Sequence, residues 1–296
     1  MYAVIGQLQQ AGFPTTALCE ALQVHRSRFY AWQRGQTNQR IQEDAALKPL
    51  IREIFWEHER RYGARRISQE LSSRGQPCGV VRVGRLLREM GLKAIQPKSY
   101  RPRTTESRHR LGYSPNLLLE SLPPSGINQV WVGDISYVPL CGGDFLYLAL
   151  LMDLYSRRIV AWDLQLHMRE SLVLAVLCEA ITVRRPPIEL IHHTDRGGQY
   201  AGRAYRRVLT RAGMRQSMSR ADSCYDNAFM ESCFGTIKTE LELESYESAP
   251  EARREISSYI RYYNTRRIHS SLGYRTPAAF EVDAINGWPQ PDVKKT

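Results

Sequence analysis

Four strand-like apolar runs, three of them joined by tight turns, constrain this chain more than any other feature. Phe145-Leu146-Tyr147-Leu148-Ala149-Leu150-Leu151-Met152 is continuously apolar, the pattern of a central strand covered on both faces. Val130–Val138 precedes it across Gly142-Gly143, and Arg158–Leu164 follows it across Ser156-Arg157. Consecutive strands with short connections are most simply an antiparallel meander. Ser171 then caps a helix running to about Val183, with Leu172, Ala175, Val176, Glu179 and Ala180 at helical spacing. A strand over 188–194, a helix Gly202–Ala212 and a short strand near Met214–Met218 complete the series. Strands first in a meander, then alternating with helices, predict an α/β fold: a mixed sheet with helices on its faces.

Upstream of residue 129 the texture is helical and then basic. Thr15–Leu22 follows Pro14, with Thr15 or Thr16 as N-cap, and Val24–Trp32 forms the next helix. A helix, a tight turn and a second helix with Ser and Arg near its start is the helix-turn-helix pattern, with a generic helical hairpin as the alternative. Arg26 and Arg28 are its candidate DNA contacts. A second all-α unit places Leu47, Leu50, Ile51, Ile54 and Phe55 at helical spacing. Its helices Ile67–Arg74 and Val80–Met90 stop at Gly75 and Gly91. Arg65 and Arg66 are candidate DNA contacts there. Lys98, Arg101, Arg103, Arg108 and Arg110 lie among prolines, a composition that disfavours a packed core and suits an extended connector. The first three of these are candidate phosphate contacts, against the alternative of a plain tether. The expected divisions are 1–40, 45–95, 96–128, 129–245 and 246–296.

Charge is placed unevenly. Residues 1–110 carry 20 Lys+Arg against 9 Asp+Glu, and the remainder carries 21 of each, so the net charge of +11 resides in the first third. Such an excess suits a polyanion, because each neutralised phosphate releases counterions; a solvated basic surface is the plainer alternative. No stretch approaches the roughly 18 uninterrupted apolar residues of a membrane span, and no secretory signal opens the chain. Cys19, Cys78, Cys141, Cys178, Cys224 and Cys233 are scattered. That spacing speaks against a zinc ribbon or a disulfide framework and fits a reducing cytoplasm.

Three carboxylates stand out against this framework. Asp134 lies inside the first strand, between Val, Trp, Ile and Tyr neighbours with no Lys or Arg within four residues. Burying it unpaired is costly, so a metal ion or a distant partner must compensate, or the carboxyl is hydrogen-bonded to backbone or Tyr. Asp195 ends the 188–194 strand ahead of Arg196-Gly197-Gly198-Gln199-Tyr200, where α/β sheets bind ligands; a turn Asp is the alternative. Glu231 lies on a helix whose Asn227, Glu231, Phe234 and Lys238 form one stripe. Asn227 and Lys238 are candidate DNA contacts, Lys238 otherwise being a solvated lysine. His192 and His193 invite a zinc reading, but adjacent strand residues face opposite ways, so both read as structural or supporting. Hard oxygen ligands indicate Mg²⁺ or Mn²⁺. Two such ions about 3.5–4 Å apart would serve an in-line displacement on nucleic acid.

These residues resemble a known family. Tyr62-Gly63-Ala64-Arg65-Arg66-Ile67, Trp131-Val132-Gly133-Asp134-Ile135-Ser136-Tyr137, His193-Thr194-Asp195-Arg196-Gly197-Gly198-Gln199-Tyr200, Tyr225-Asp226-Asn227-Ala228-Phe229-Met230-Glu231-Ser232 and Tyr262-Tyr263-Asn264-Thr265-Arg266-Arg267-Ile268-His269 occur in order. Together they are similar to bacterial insertion-sequence transposases with the DDE, retroviral-integrase-type core, specifically the second-frame product of the insertion-sequence-three family. The resemblance implies an RNase H-like core over 129–245, completed by the C-terminal helix of 246–296. It implies Asp134, Asp195 and Glu231 as the acidic triad, with Lys238 matching the basic residue after the Glu. It also implies Mg²⁺-dependent strand cleavage and joining, element-end and target DNA as partners, and assembly on DNA as at least a dimer. Thr194, Gly198 and Ala221-Asp222 depart from the family pattern without removing a ligand. In this family the active enzyme is often a frameshifted fusion with an upstream product, which is a further expected partner. Arg266 and Arg267, after the helix Ile256–Asn264, are candidate phosphate contacts. A nuclease that cleaves without joining and a catalytically inactive DNA-binding regulator remain the rival readings.

Overall fold

The computed structural model describes residues 1–35, 39–97, 112–119, 121–220, 227–242 and 245–287. It divides into two units, Met1–Ala94 and Ile95–Thr296. In the first, helices α1 (Tyr2–Gln10), α2 (Thr15–Ala21) and α3 (Arg26–Gln33) close around Ile5, Cys19 and Phe29. Pro14, not a threonine, occupies the N-cap of α2, and no side chain caps it; the fixed φ of proline sets the chain direction there instead. Helices α4 (Gln39–Glu57), α5 (Ala64–Ser73) and α6 (Val80–Glu89) follow. Leu47, Ile51, Ile54, Phe55, Ile67, Leu71, Val83, Leu86 and Leu87 are their buried side chains. Gly75 and Gly91 adopt φ of 76° and 68°, the left-handed stop that only glycine takes without strain. Arg82 and Arg85 of α6 both turn onto Asp44 of α4, at 2.8 and 2.6 Å.

The second unit is built on five strands: β1 (Val130–Pro139), β2 (Phe145–Asp153), β3 (Ile159–Gln165), β4 (Ile191–Thr194) and β5 (Arg215–Met218). Their order is β3-β2-β1-β4-β5. The first three pair antiparallel, while β4 runs parallel to β1 and β5 parallel to β4. The expected mixed sheet is therefore present, with β1 at its centre. Helices α7 (Glu170–Arg184), α8 (Gly198–Ala201) and α9 (Arg203–Arg211) pack with Trp131, Leu151 and Met218 into one core. Helices α10 (Ala228–Glu240), α11 (Ala249–Thr265) and α12 (Pro277–Ile285) follow β5.

Several boundaries differ from the sequence expectation: α5 begins at Ala64 and not Ile67, α11 spans Ala249–Thr265 and not Ile256–Asn264, and two others bear on the sheet and its helices. The fourth strand begins at Ile191, because Glu189 takes φ of 68° and donates its N–H to Gly213 O, which leaves Ile188 exposed. Helix α7 begins at Glu170 with Arg169 as N-cap, so Ser171 is already helical. The Glu170 carboxylate accepts the Tyr205 N–H at 2.9 Å, near the start of α9. A side chain remote in sequence thus supplies the cap that α9 lacks locally.

Edge strand β3 is shielded by α11. Ile159 N–H donates to Asn264 Oδ1 at 3.0 Å, and Asn264 Nδ2 donates back to Ile159 O at 2.9 Å. Arg253 donates to Leu164 O and to Asp163 Oδ1. Such cover removes an open row of backbone groups that would otherwise pair with another chain. Asn264→Ala loses both bonds, at ~1 kcal/mol each. The urea midpoint is expected to fall accordingly, and an unchanged midpoint would show that water replaces the amide at no cost.

Candidate active site

Asp134 sits mid-way along β1, opposite Leu150 of β2. On its other side β1 meets β4 in parallel register, with Val132 beside His193. Asp134 stands two residues beyond that pair on β1, and Asp195 two residues beyond it, just past the end of β4. Parallel neighbours project to the same face of a sheet, so the register itself brings the two carboxylates together. On the opposite face of β1 the neighbouring Gly133 leaves room for β4 side chains: a Cβ there would lie 3.2 Å from His192 Cε1 and 3.6 Å from Thr194 Cγ2. Asp195 Oδ1 accepts the Gly197 N–H at 2.9 Å, which tightens the turn after β4.

Helix α10 packs against β1 and brings the third acid. Asn227 is its N-cap residue, Glu231 lies exposed in its first turn, Phe234 is buried and Lys238 half-buried near its end. The Asp134 carboxyl is held well above the usual carboxylate range. Burial is the main cause, followed by the charge of Asp195 and then of Glu231; the Ile135 N–H and Lys238 pull the other way. Lys238 is the remote cation near Asp134 that no neighbour in sequence supplied. Burial lowers its own ammonium pKa, and Asp134 opposes that shift. Tyr200, buried on α8, also feels both aspartates; burial first, then their charge, drives its hydroxyl pKa up. Among the described residues no three His, Cys, Asp or Glu side chains form a ready-made metal cage. The donor set that faces the site is oxygen only, which suits a hard divalent cation.

The two histidines are engaged in the fold. His192 Nε2 meets Tyr205 OH at 2.7 Å, and His193 Nδ1 meets Ser217 Oγ at 2.8 Å. They face different partners, as alternation along a strand requires. Burial, with a smaller push from His193, drives the His192 pKa from 6.5 down to about 3. The unfolded chain therefore binds the extra proton between those values. His192 costs nothing above about pH 6.5, and stability is lost as pH falls toward 3, by ~1.4 kcal/mol per unit. His192→Gln can keep a hydrogen bond to Tyr205 but cannot titrate, so its urea midpoint is expected to vary less between pH 6 and 4 than wild type. Equal slopes would remove His192 from the account.

The remaining candidate contacts divide. Arg26, Arg28, Arg65 and Arg266 are exposed. Arg66 is half-buried, with its guanidinium 5.5 Å from the Tyr62 ring. Asn227 is buried, and its Oδ1 has no hydrogen-bond partner among the described residues. Lys98, Arg101 and Arg103 lie outside the described residues. Arg267 is a correction: it is buried, donates to both oxygens of Glu240 at 2.7 to 3.0 Å, and lies beside His269. It stabilises the α10–α11 region and is not presented to a phosphate. Tyr113 and Arg196, whose ring and guanidinium stack 4.6 Å apart beside Asp195, escaped the sequence reading; nothing local links residues so far apart.

Comparison with known proteins places this geometry. Residues 124–224 and 212–277 match the integrase core domain family, and residues 42–100 match the HTH-like domain. Over 285 residues the chain is 37% identical to the transposase InsF for insertion sequence IS3A of Escherichia coli (strain K12), spanning 95% of this chain and 98% of that one. The chain belongs to this family of IS3-type transposases. It is also 38% identical over 250 residues to the transposase for insertion sequence element IS904 of Lactococcus lactis, covering 84% of this chain and 98% of the relative. The insertion element IS600 uncharacterized 31 kDa protein of Shigella sonnei is 40% identical over 265 residues, 89% of this chain and 97% of that protein. Among solved structures, the HTLV-2 integrase catalytic core domain in complex with magnesium aligns with a TM-score of 0.42 at 15% identity, covering 53% of this chain and 98% of that one. By the match to the integrase core domain family, the mixed sheet with its flanking helices is the RNase H-like core of the integrase and transposase class. The family's enzymes are DDE polynucleotidyl transferases. No described helix is long and apolar enough to cross a membrane.

Proposed function

We propose that Asp134, Asp195 and Glu231 are the catalytic carboxylates of this transposase and that they hold two Mg²⁺ ions, with Mn²⁺ as a substitute. One observation carries the reading. Asp134 on β1 feels the charge of Asp195, just past β4, and of Glu231 on α10, and Lys238 is the cation that opposes them there. Such an excess of negative charge is relieved either by a proton on Asp134 or by a further cation, and oxygen donors favour a hard one. The chemistry that such a pair of ions supplies is activation of an attacking oxygen and stabilisation of the leaving one in an in-line displacement.

The chain's own residues supply placement. Asp134 and Asp195 are set by strand register, and Glu231 and Lys238 by one helix stripe. Lys238 takes a DNA phosphate beside the reacting one. Water cleaves a phosphodiester at the element end, and the freed 3′-hydroxyl then attacks a target phosphodiester. Each step exchanges one P–O bond for another, so no covalent protein intermediate is required. Arg26, Arg28, Arg65 and Arg66 serve the first unit's DNA contacts; Asn227, Lys238 and Arg266 serve those of the core; Lys98, Arg101 and Arg103 serve those of the connector. The working assembly is at least a dimer on paired element ends, with the upstream-frame product as a further partner, on the nucleoid in the bacterial cytoplasm.

The test uses labelled duplex carrying the element's terminal repeat. Cleaved and joined products are expected with Mg²⁺ or Mn²⁺, and neither in EDTA. Cleavage that persists in EDTA would sink the metal reading. Cleavage without joining would indicate a nuclease, and binding without either reaction a regulator.

A further inference from the structure

Residues 112–119 run along the outer edge of the sheet and are stitched to β5. Pro115 O accepts the Met218 N–H at 3.3 Å, Ser217 Oγ accepts the Leu117 N–H at 2.9 Å, and Ser114 Oγ donates to Gln216 Oε1 at 2.9 Å. The same Ser217 hydroxyl meets His193, two residues before Asp195. Ahead of these bonds stands Tyr113, whose ring lies 4.6 Å from the guanidinium of Arg196, the residue that follows Asp195. Arg196 is held on its other side as well, because its Nε donates to Ser219 O at 2.7 Å just past β5.

We infer that Tyr113 is a positioning residue for Asp195, acting through Arg196. The turn Asp195-Arg196-Gly197 leaves the sheet just past the bond from Ser219 N–H to Thr194 O that closes the β4–β5 ladder. Asp195 holds its own following N–H, Gly197, but that bond moves with the turn. The Ser219 carbonyl and the Tyr113 ring are restraints from outside it. Held by both, the guanidinium pins the residue next to the carboxylate. A guanidinium over an aromatic face is favourable electrostatically, and either Phe or Trp offers the same face. The edge strap therefore does more than cover β5: it ties the segment leading from residue 112 to the position of one reactive carboxylate.

The inference rests on the triad reading given above, and the experiment separates the two. Full-length Tyr113→Leu, Tyr113→Phe and Tyr113→Trp are compared with wild type in strand cleavage of element-end duplex. Mn²⁺ affinity is measured in parallel by paramagnetic relaxation of water protons, and thermal unfolding confirms that each variant is folded. Displacing a reacting group by about 1 Å can cost up to ~10²-fold in rate. Tyr113→Leu is expected to lower the rate at saturating DNA by about tenfold and to weaken Mn²⁺ binding several-fold, with the half-saturating DNA concentration unchanged; Phe and Trp should restore both. A change in half-saturation alone would make Tyr113 a DNA contact and overturn the inference. So would a Leu variant equal to wild type, or a Phe variant as impaired as Leu. If wild type binds Mn²⁺ but cleaves nothing, the triad reading fails while the binding comparison still judges the strap. If Arg196→Met, which keeps bulk without charge, binds Mn²⁺ as wild type does, the route through Arg196 is wrong.

Discussion

Asp134→Asn is expected to abolish strand cleavage while leaving the protein as stable as wild type, or more so, when metal is withheld. The two halves share one cause. Asp134 is half-buried and feels the charge of Asp195 and Glu231, so burial first and like charge second disfavour its ionised form. Without a bound cation the ionised carboxylate opposes folding. The sign follows from linkage: its folded pKa lies above its unfolded value of 3.8, so the folded chain holds the proton more tightly, and the penalty is largest at pH above the folded pKa. Asparagine has the same shape and no charge, which removes the penalty. It also removes a hard anionic ligand, and loss of a group that holds the metal at the reacting phosphate is expected to cost at least ~10³-fold in rate, about 4 kcal/mol of barrier. Thermal unfolding in EDTA alongside the cleavage assay checks both. A variant that melts well below wild type in EDTA would show Asp134 to be a structural carboxylate satisfied by its surroundings.

Arg267→Met is expected to destabilise the fold by ~3–5 kcal/mol, the usual result of leaving one member of a buried ion pair behind. Arg267 and Glu240 have side chains only 5% and 7% exposed, and the guanidinium meets both carboxylate oxygens. Burial alone would lower the Arg267 pKa, but its hydrogen bonds to Glu240 outweigh that and raise it. Tyr259 OH also donates to Glu240 at 2.9 Å, and a neutral donor does not replace the lost positive charge. Converting Glu240 to Met in the same chain should restore much of the loss, because the paired charges cost desolvation as well as supplying attraction. Urea unfolding of both single variants and the double variant measures the coupling. The slope of DNA affinity against salt should match wild type in any folded Arg267 variant, since no phosphate contact is lost. A shallower slope with unchanged stability would return Arg267 to the DNA surface.

Arg267 also shows where the sequence stops being informative. Beside Arg266, in a run ending at His269, it looks like half of a basic surface patch. Its partner Glu240 is 27 residues away on another helix, and no local pattern distinguishes it from its exposed neighbour. The start of α7 differs for the same kind of reason: Ser171 is a good local cap, but the helix already includes Glu170, whose side chain is committed to α9. Tyr113 and Arg196 meet only because the chain folds back along β5. By contrast, the sheet was legible because its information is local. The apolar runs, the Gly142-Gly143 turn and the Ser156-Arg157 turn specify an antiparallel meander, and a helix between strands specifies a parallel return. The same periodicity set Asp134 within a strand and Asp195 at a strand end, and turned the paired histidines away from each other. Composition could say that a carboxylate in an apolar strand needs company; only the β1–β4 register and the packing of α10 identify that company as Asp195, Glu231 and Lys238.

The most direct test of the triad assignment compares wild type with Asp134→Asn, Asp195→Asn and Glu231→Gln in Mg²⁺-dependent cleavage and joining of element-end DNA, with a gel shift on the same preparations. Residues that act as one unit lose function together, so combining two substitutions should lower the rate little beyond either alone. Each single variant is expected to bind the DNA and to yield neither product. A single variant that retains full cleavage and joining would contradict the assignment.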